Sequence, residues 1–297
     1  MNFRRSDRAS ASARSLRALA LALVALASVL LPAPPAAASA GWINECLYTR
    51  SLKDDPIVYP DQPGKSHLHD FFGAEDTDAY STYRSMLKNG TSCVSPDTAG
   101  YWIPALYEDG ERRLARGFGT DGEDTDIEFY YRDSNLDEGT RIRPYPPNMK
   151  LLAGNGWANA ELGDDIYWGC FNGSNITNLA RPPASCPDGV LTLHIRFPNC
   201  WDGEHVNMAK DPKAVVYPNE ERDQCPRSHP IALPWLIERY EWPLGRGDFG
   251  RITLSSGSAS TIHGDFWNTW KQSRLKELVQ NCLNADVDCE DFEAPGT

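Results

Sequence analysis

The chain has 297 residues, with 29 Lys and Arg against 41 Asp and Glu, a formal net charge of −12 and 41% hydrophobic residues. Such an acidic surface repels phosphate backbones and anionic headgroups, which argues against nucleic acid and anionic membranes as partners. The length suits one large domain or two small ones, with enough apolar residues for a packed core.

The first forty residues read as a secretory leader. Arg4, Arg5, Arg8, Arg14 and Arg17 form a basic region, residues 16–31 are a largely apolar run with no charge apart from Arg17, and Ala38-Ser39-Ala40 offers a small-residue cleavage site before Gly41. The apolar run is shorter than the ~20 residues a membrane span needs, and Pro32, Pro34 and Pro35 end it. Residues 41–297 are then expected to be a single secreted domain. Without the leader's five arginines and one aspartate, the net charge becomes −16.

All eight cysteines lie after the leader: Cys46, Cys93, Cys170, Cys186, Cys200, Cys225, Cys282 and Cys289. An even count in an exported chain reads as four disulfides. Eight cysteines allow 105 pairings, of which the neighbour scheme 46–93, 170–186, 200–225 and 282–289 needs the least rearrangement. The spacing C-x-x-C of a structural zinc site does not occur.

The stretch "PGKSHLHDFFG", residues 63–73, holds two of the six histidines. As a strand it places His67 and His69 on one face and Asp70 on the other. Two imidazoles on one face can chelate a metal with a third ligand from elsewhere, or divide the roles of general base and substrate ligand. The bland alternative is a pair of histidines donating to backbone carbonyls, with Asp70 accepting N–H bonds in a turn. "DGEDTDIE", residues 121–128, is dense in carboxylates but lacks the spacing of a calcium loop and reads as a solvated segment.

"DIEFYYR" (126–132), "GVLTLHIRFP" (189–198) and "GRITLSSG" (250–257) read as strands. In the second, Leu191, Leu193, Ile195 and Phe197 share the core face, and Thr192, His194 and Arg196 the polar one, which makes His194 a candidate cleft residue. In "FPNCWDGEHV", residues 197–206, Cys200 anchors a turn bearing Trp201 and Asp202. An indole face with a carboxylate beside it suits a sugar ring; a buried tryptophan and a turn-forming Asp-Gly is the alternative.

"TIHGDFWNTW", residues 261–270, repeats the order of the first histidine stretch. It supplies His263 as third ligand or acid–base partner, Asp265 as its orienting carboxylate or as a helix cap, and Asn268 as a substrate contact. Trp267, Trp270, Leu275, Leu278, Val279 and Cys282 predict a helix over residues 264–284. His205 reads as exposed, His229 as structural, and the tail after Cys289 as loose. No nucleophile elbow, phosphate loop or dinucleotide fingerprint occurs. Many short strands and one late helix predict a mainly β chain, a β-sandwich or jelly-roll-like core, with α+β as the alternative.

In order along the chain, "DPIVYPDQPGKSHLHDFFG", "GTSCVSPDTAGYWIPALY", "PYPPNMKLLAGN", "FPNCWDG", "CPRSHPIALPWL" and "HGDFWNTW" resemble the secreted domain-of-unknown-function family DUF1996 of actinobacteria and filamentous fungi. The likeness runs from about Trp42 to Cys289. It implies His67, His69, Asp70, Trp201, Asp202, His263 and Asp265 as the signature positions. Fungal relatives often carry WSC or other carbohydrate-binding modules, which implies a polysaccharide or cell-wall glycan partner. The expectation is a glycoside hydrolase or polysaccharide lyase with His67, His69 and His263 at its centre, around a divalent metal in one version. A non-catalytic glycan-binding module is the alternative.

Overall fold

The computed structural model describes residues 40–94, 97–118, 124–125, 127–133, 136–137, 139–156, 162, 164–171, 177–219 and 223–289. Residues 1–39, the tail after Cys289 and residues 121–123 and 126 of the acidic stretch lie outside the described residues. Ten strands form two five-stranded antiparallel sheets. The first sheet holds β1 (Gly41–Cys46), β5 (Ile127–Arg132), β7 (Ile166–Cys170), β8 (Val190–Arg196) and β9 (Trp235–Pro243), in the order β1-β5-β9-β8-β7. The second holds β2 (Tyr48–Leu52), β3 (His69–Gly73), β4 (Gly100–Pro104), β6 (Lys150–Gly154) and β10 (His263–Trp267), in the order β6-β10-β4-β3-β2.

The two sheets face each other through aromatic side chains. Tyr101 of β4 stacks on Phe129 of β5 at 3.9 Å, and Phe72 of β3 meets Tyr240 of β9 at 5.3 Å. Each fully buried ring of this kind contributes about 1.5–3 kcal/mol. Leu191, Leu193, Ile195 and Phe197 are all buried in this interior, as their two-residue period predicts. The chain is mainly β, a sandwich with a late helix.

The second sheet is covered on its outer side as well. Side chains alternate along a strand, so His69 and Phe71 of β3 point away from the face that carries Phe72. Phe71, Trp102 of β4 and Trp267 of β10 form a second apolar cluster with Ile57 and Met86. Ile57 comes from the loop over residues 53–66 and Met86 from the short helix α1 (Tyr83–Met86). Asp54 pins that loop: its two carboxylate oxygens accept the N–H groups of Gly64 (2.8 Å) and Ala79 (3.0 Å).

The late helix is shorter than its periodicity predicts. Residues 263–267 are strand, and helix α2 covers Gln272–Asn281. β10 lies in the sheet between β6 and β4, pairing with both, so ladder hydrogen bonds and burial on two faces outweigh the helical spacing of the aromatics. Asp265 therefore caps no helix. Leu275, Leu278 and Val279 do form the buried stripe of α2.

Behind the helix, buried Asp97 accepts from Asn44 Nδ2 (2.8 Å), the Ala99 N–H (2.7 Å) and the Tyr101 hydroxyl. Four disulfides join Cys46–Cys93, Cys170–Cys186, Cys200–Cys225 and Cys282–Cys289, the neighbour scheme. Each closes a loop and adds on the order of 2–4 kcal/mol. Among the described residues, no helix is long and apolar enough to cross a membrane.

Candidate functional site

β3 and β10 each begin with a histidine on the outer face of the second sheet, and the covering loop brings a third. His69, fully buried, donates its Nδ1 proton to the Asp54 carbonyl at 2.9 Å. His263 donates from Nδ1 to the Thr261 carbonyl, also at 2.9 Å. A carbonyl can only accept, so both rings carry their proton on Nδ1 and present a lone pair at Nε2. Those two Nε2 atoms face each other at 3.4 Å.

His67 follows the covering loop, two residues before β3, yet its ring still meets that of His69 at 4.2 Å and that of His263 at 5.0 Å. Its Nε2 is buried without a hydrogen-bond partner. One nitrogen from each ring lies within 4.8 Å of the other two. Burial lowers the basicity of all three: His69 sits well below its usual value, through burial and then its two imidazole neighbours, and His263 is held at about 4. At neutral pH the three rings are uncharged, which is the state a metal requires.

The donor set fits a divalent ion of the zinc type. Zinc–nitrogen bonds of ~2.0–2.1 Å in tetrahedral geometry put two ligating nitrogens about 3.3–3.4 Å apart, the separation the two Nε2 atoms already have. A cation between them would resolve the opposition of two lone pairs. It would also answer Asp265, which is 1% exposed, has no hydrogen bond at either oxygen, and reaches within 4.0 Å of His263 Nε2. Burial, then Asp55 and Glu238, push the Asp265 carboxyl well above the ordinary range. The other metal-like grouping, Cys46, Cys93 and Asp97, has both its thiols in a disulfide.

The three-histidine cluster opens on a cleft of about 340 Å³, walled by Asp55, Tyr59, Lys65, His67, His263 and Asp265 among others. The far wall is the end of β6 and the residues after it, where one glycine is required and a second lies close against the His263 ring. Gly154 has φ +86°, and a Cβ there would stand 2.6 Å from the Ile262 carbonyl. A Cβ on Gly156 would stand 3.2 Å from Cε1 of the His263 ring.

The other residues singled out from the sequence lie elsewhere. Asp70 points to the opposite side of β3, where it accepts from Ser51 Oγ at 2.6 Å and pairs with Arg112; it orients no imidazole. Trp201 sits half-buried in a small three-stranded ribbon and donates to the His205 carbonyl at 2.7 Å. Asp202 accepts the N–H groups of Glu204 and His205 and pairs with His205 Nδ1 at 2.7 Å, the turn-forming alternative. His194 stacks on Tyr167 at 4.8 Å, on the outer side of the first sheet. Asn268, fully buried, donates to the Tyr145 and Pro146 carbonyls. His229 bonds Ser228 and the Lys213 carbonyl. None of these walls the cleft, and its Asp55, Tyr59 and Lys65 carry no signal that sets them apart in the sequence.

Neither a curated protein nor a solved structure matches the chain. A family match covers residues 55–270, from the covering loop through all three histidines to Trp270. The chain belongs to the domain-of-unknown-function family DUF1996.

Proposed function

We propose that this protein is exported and cleaves a polysaccharide or cell-wall glycan, as a hydrolase or lyase, at a metal-assisted centre built from His67, His69 and His263. The observation that carries the reading is the pair of Nε2 atoms facing each other at 3.4 Å with a third imidazole beside them. Export is supported by the leader-like first forty residues and the four disulfides. A glycan is supported by the resemblance to fungal chains that carry WSC modules.

The three imidazoles would hold the ion through nitrogen, with the opposite Nδ1–H groups of His69 and His263 fixed by backbone carbonyls. A bound divalent ion of this type polarises substrate and makes water a nucleophile near neutral pH. The protein supplies the rest. His69 and His263 are locked in one tautomer, the apolar cluster of Phe71, Trp102 and Trp267 packs beneath them, and Asp265 sets an unpartnered buried carboxyl beside the site. Tyr59 and Lys65 line the cleft wall and would meet a sugar ring and its polar substituents.

The test is the metal content of the purified secreted protein after incubation with zinc, against His67→Ala/His69→Ala, followed by incubation with a polysaccharide panel. Bound metal in the wild type alone, with new reducing ends or unsaturated products, supports the reading. Equal metal in both proteins removes the metal centre. Retention on a glycan with no product would make the protein a binding module instead.

A further inference from the structure

Asp55 is the residue of the cleft with no role so far. It is 4% exposed and lies in the wall that also carries His67, His263 and Asp265. Its Oδ1 accepts the N–H groups of Ile57 (3.0 Å) and Val58 (2.9 Å), which closes the first turn of the covering loop. That turn needs one oxygen only, and Asn or Ser would hold it without burying a charge. Among the described residues, Oδ2 finds no hydrogen-bond partner. A buried carboxylate with half its capacity left over, in the wall of a cleft, is placed for a ligand rather than for the loop.

We propose that Asp55 is the general base of this site, accepting through Oδ2 the proton of the water that attacks the substrate. The assignment rests on the hydrolase reading above. In the step, a water O–H bond breaks and its proton passes to Oδ2 as the water oxygen bonds the electrophilic carbon. The bond from that carbon to its leaving oxygen breaks in the same displacement, and the leaving oxygen takes a proton from solvent, to which Asp55 later releases its own.

The charged surroundings suit the role. Burial pushes the Asp55 carboxyl up to about 6, against the pull of the two N–H donors and of Lys150. Lys150, from β6, lies with Nζ 3.6 Å over the Trp267 ring and 3.5 Å from the Pro56 carbonyl. Asp265 faces Asp55 from β10, while Tyr59, Lys65, His67 and His263 complete the titratable groups that line the cleft. A base in this range is ionised at neutral pH yet strong enough to take a proton.

Asp55→Asn separates the two jobs, because its amide oxygen still accepts both N–H groups while the free carboxylate oxygen is gone. The probe is 4-nitrophenyl acetate, an activated ester that reports water activation whatever the natural bond. It is given to the zinc-incubated secreted protein, with zinc content and thermal midpoint measured alongside. The expected result is a variant that keeps wild-type zinc and KM and is at least as stable as wild type but loses about 10²–10⁴-fold in kcat, with Asp55→Glu recovering part of the rate. An Asn variant with wild-type kcat overturns the proposal, and so does a wild-type protein that releases no nitrophenolate above free zinc. A wild type that binds no zinc sinks the metal centre instead, and the same kcat comparison on that metal-free protein still decides Asp55.

Discussion

The histidine cleft and the Trp201–Asp202 turn carry the same kinds of residue, an aromatic, a carboxylate and an imidazole close in sequence. They differ in what is left over. At the turn, Asp202 is saturated by two N–H groups and the His205 ring, and Trp201 Nε1 has its carbonyl. In the cleft, His67 Nε2 and both Asp265 oxygens are buried and unpartnered, and two imidazole lone pairs oppose each other. A buried polar atom without a partner costs about 1–3 kcal/mol, so a fold that keeps several together holds them for something that arrives later. Residue type nominates both regions; unused hydrogen-bonding capacity distinguishes them.

The largest effect should come from removing ligands. His67→Ala/His69→Ala is expected to lower bound zinc from about one ion per chain to near none, measured by elemental analysis after dialysis. The thermal midpoint of the metal-free protein should change far less. If zinc stays, the cleft is no different from the turn.

The next effect concerns charge. Burial raises Asp55 from 3.8 to about 6 in the folded protein. A carboxyl raised on folding binds more protons in the native state across that window, so its contribution to stability falls as pH climbs from about 4 to 6. In metal-free protein, Asp55→Asn should remove that decline, worth up to about 3 kcal/mol between pH 4 and pH 7. Urea unfolding at a series of pH values measures it, and parallel curves for the two proteins would refute it. A smaller change is expected from Gly156→Ala. Its new Cβ presses on the His263 ring and should weaken zinc binding about 10-fold by calorimetry, as displaced ligand supports do.

Much of the architecture was readable because strands announce themselves by alternation, as in Leu191, Leu193 and Ile195, and because each cysteine bonded its sequence neighbour. The convergence of His67, His69 and His263 was also foreshadowed, by two stretches of matching composition. Asp55 was not, since one carboxylate among 41 has no pattern of its own. Its place depends on how the 53–66 loop folds over a sheet whose strands come from distant parts of the chain. The misplaced helix start has a local cause: aromatics at 266, 267 and 270 fit helical spacing and strand burial equally well, and only the pairing of β10 with β4 and β6 decides. Trp201 and Asp202 carry a sugar-binding composition, but a four-residue turn can absorb all their polar atoms.

The smallest effect is the sharpest contrast. Asp202→Ala should cost about 0.5–2 kcal/mol, the value of a lost cap, and leave zinc binding and nitrophenolate release unchanged. Its pH dependence should run opposite to that of Asp55. Burial alone would raise the Asp202 carboxyl, but the Glu204 and His205 hydrogen bonds outweigh it and hold it below 3.8, while Asp202 holds the His205 ring above 6.5. A depressed carboxyl stabilises above its unfolded value, and that stabilisation is lost as pH falls. A raised imidazole stabilises below its unfolded value, and that stabilisation is lost as pH rises through its folded one. The turn is therefore strongest between about 4 and 6.5, the window in which the cleft carboxyl weakens the fold. Urea midpoints of wild type and Asp202→Ala should differ more at pH 5 than at pH 8. An equal gap at both would mean that the turn, too, keeps its charges for another purpose.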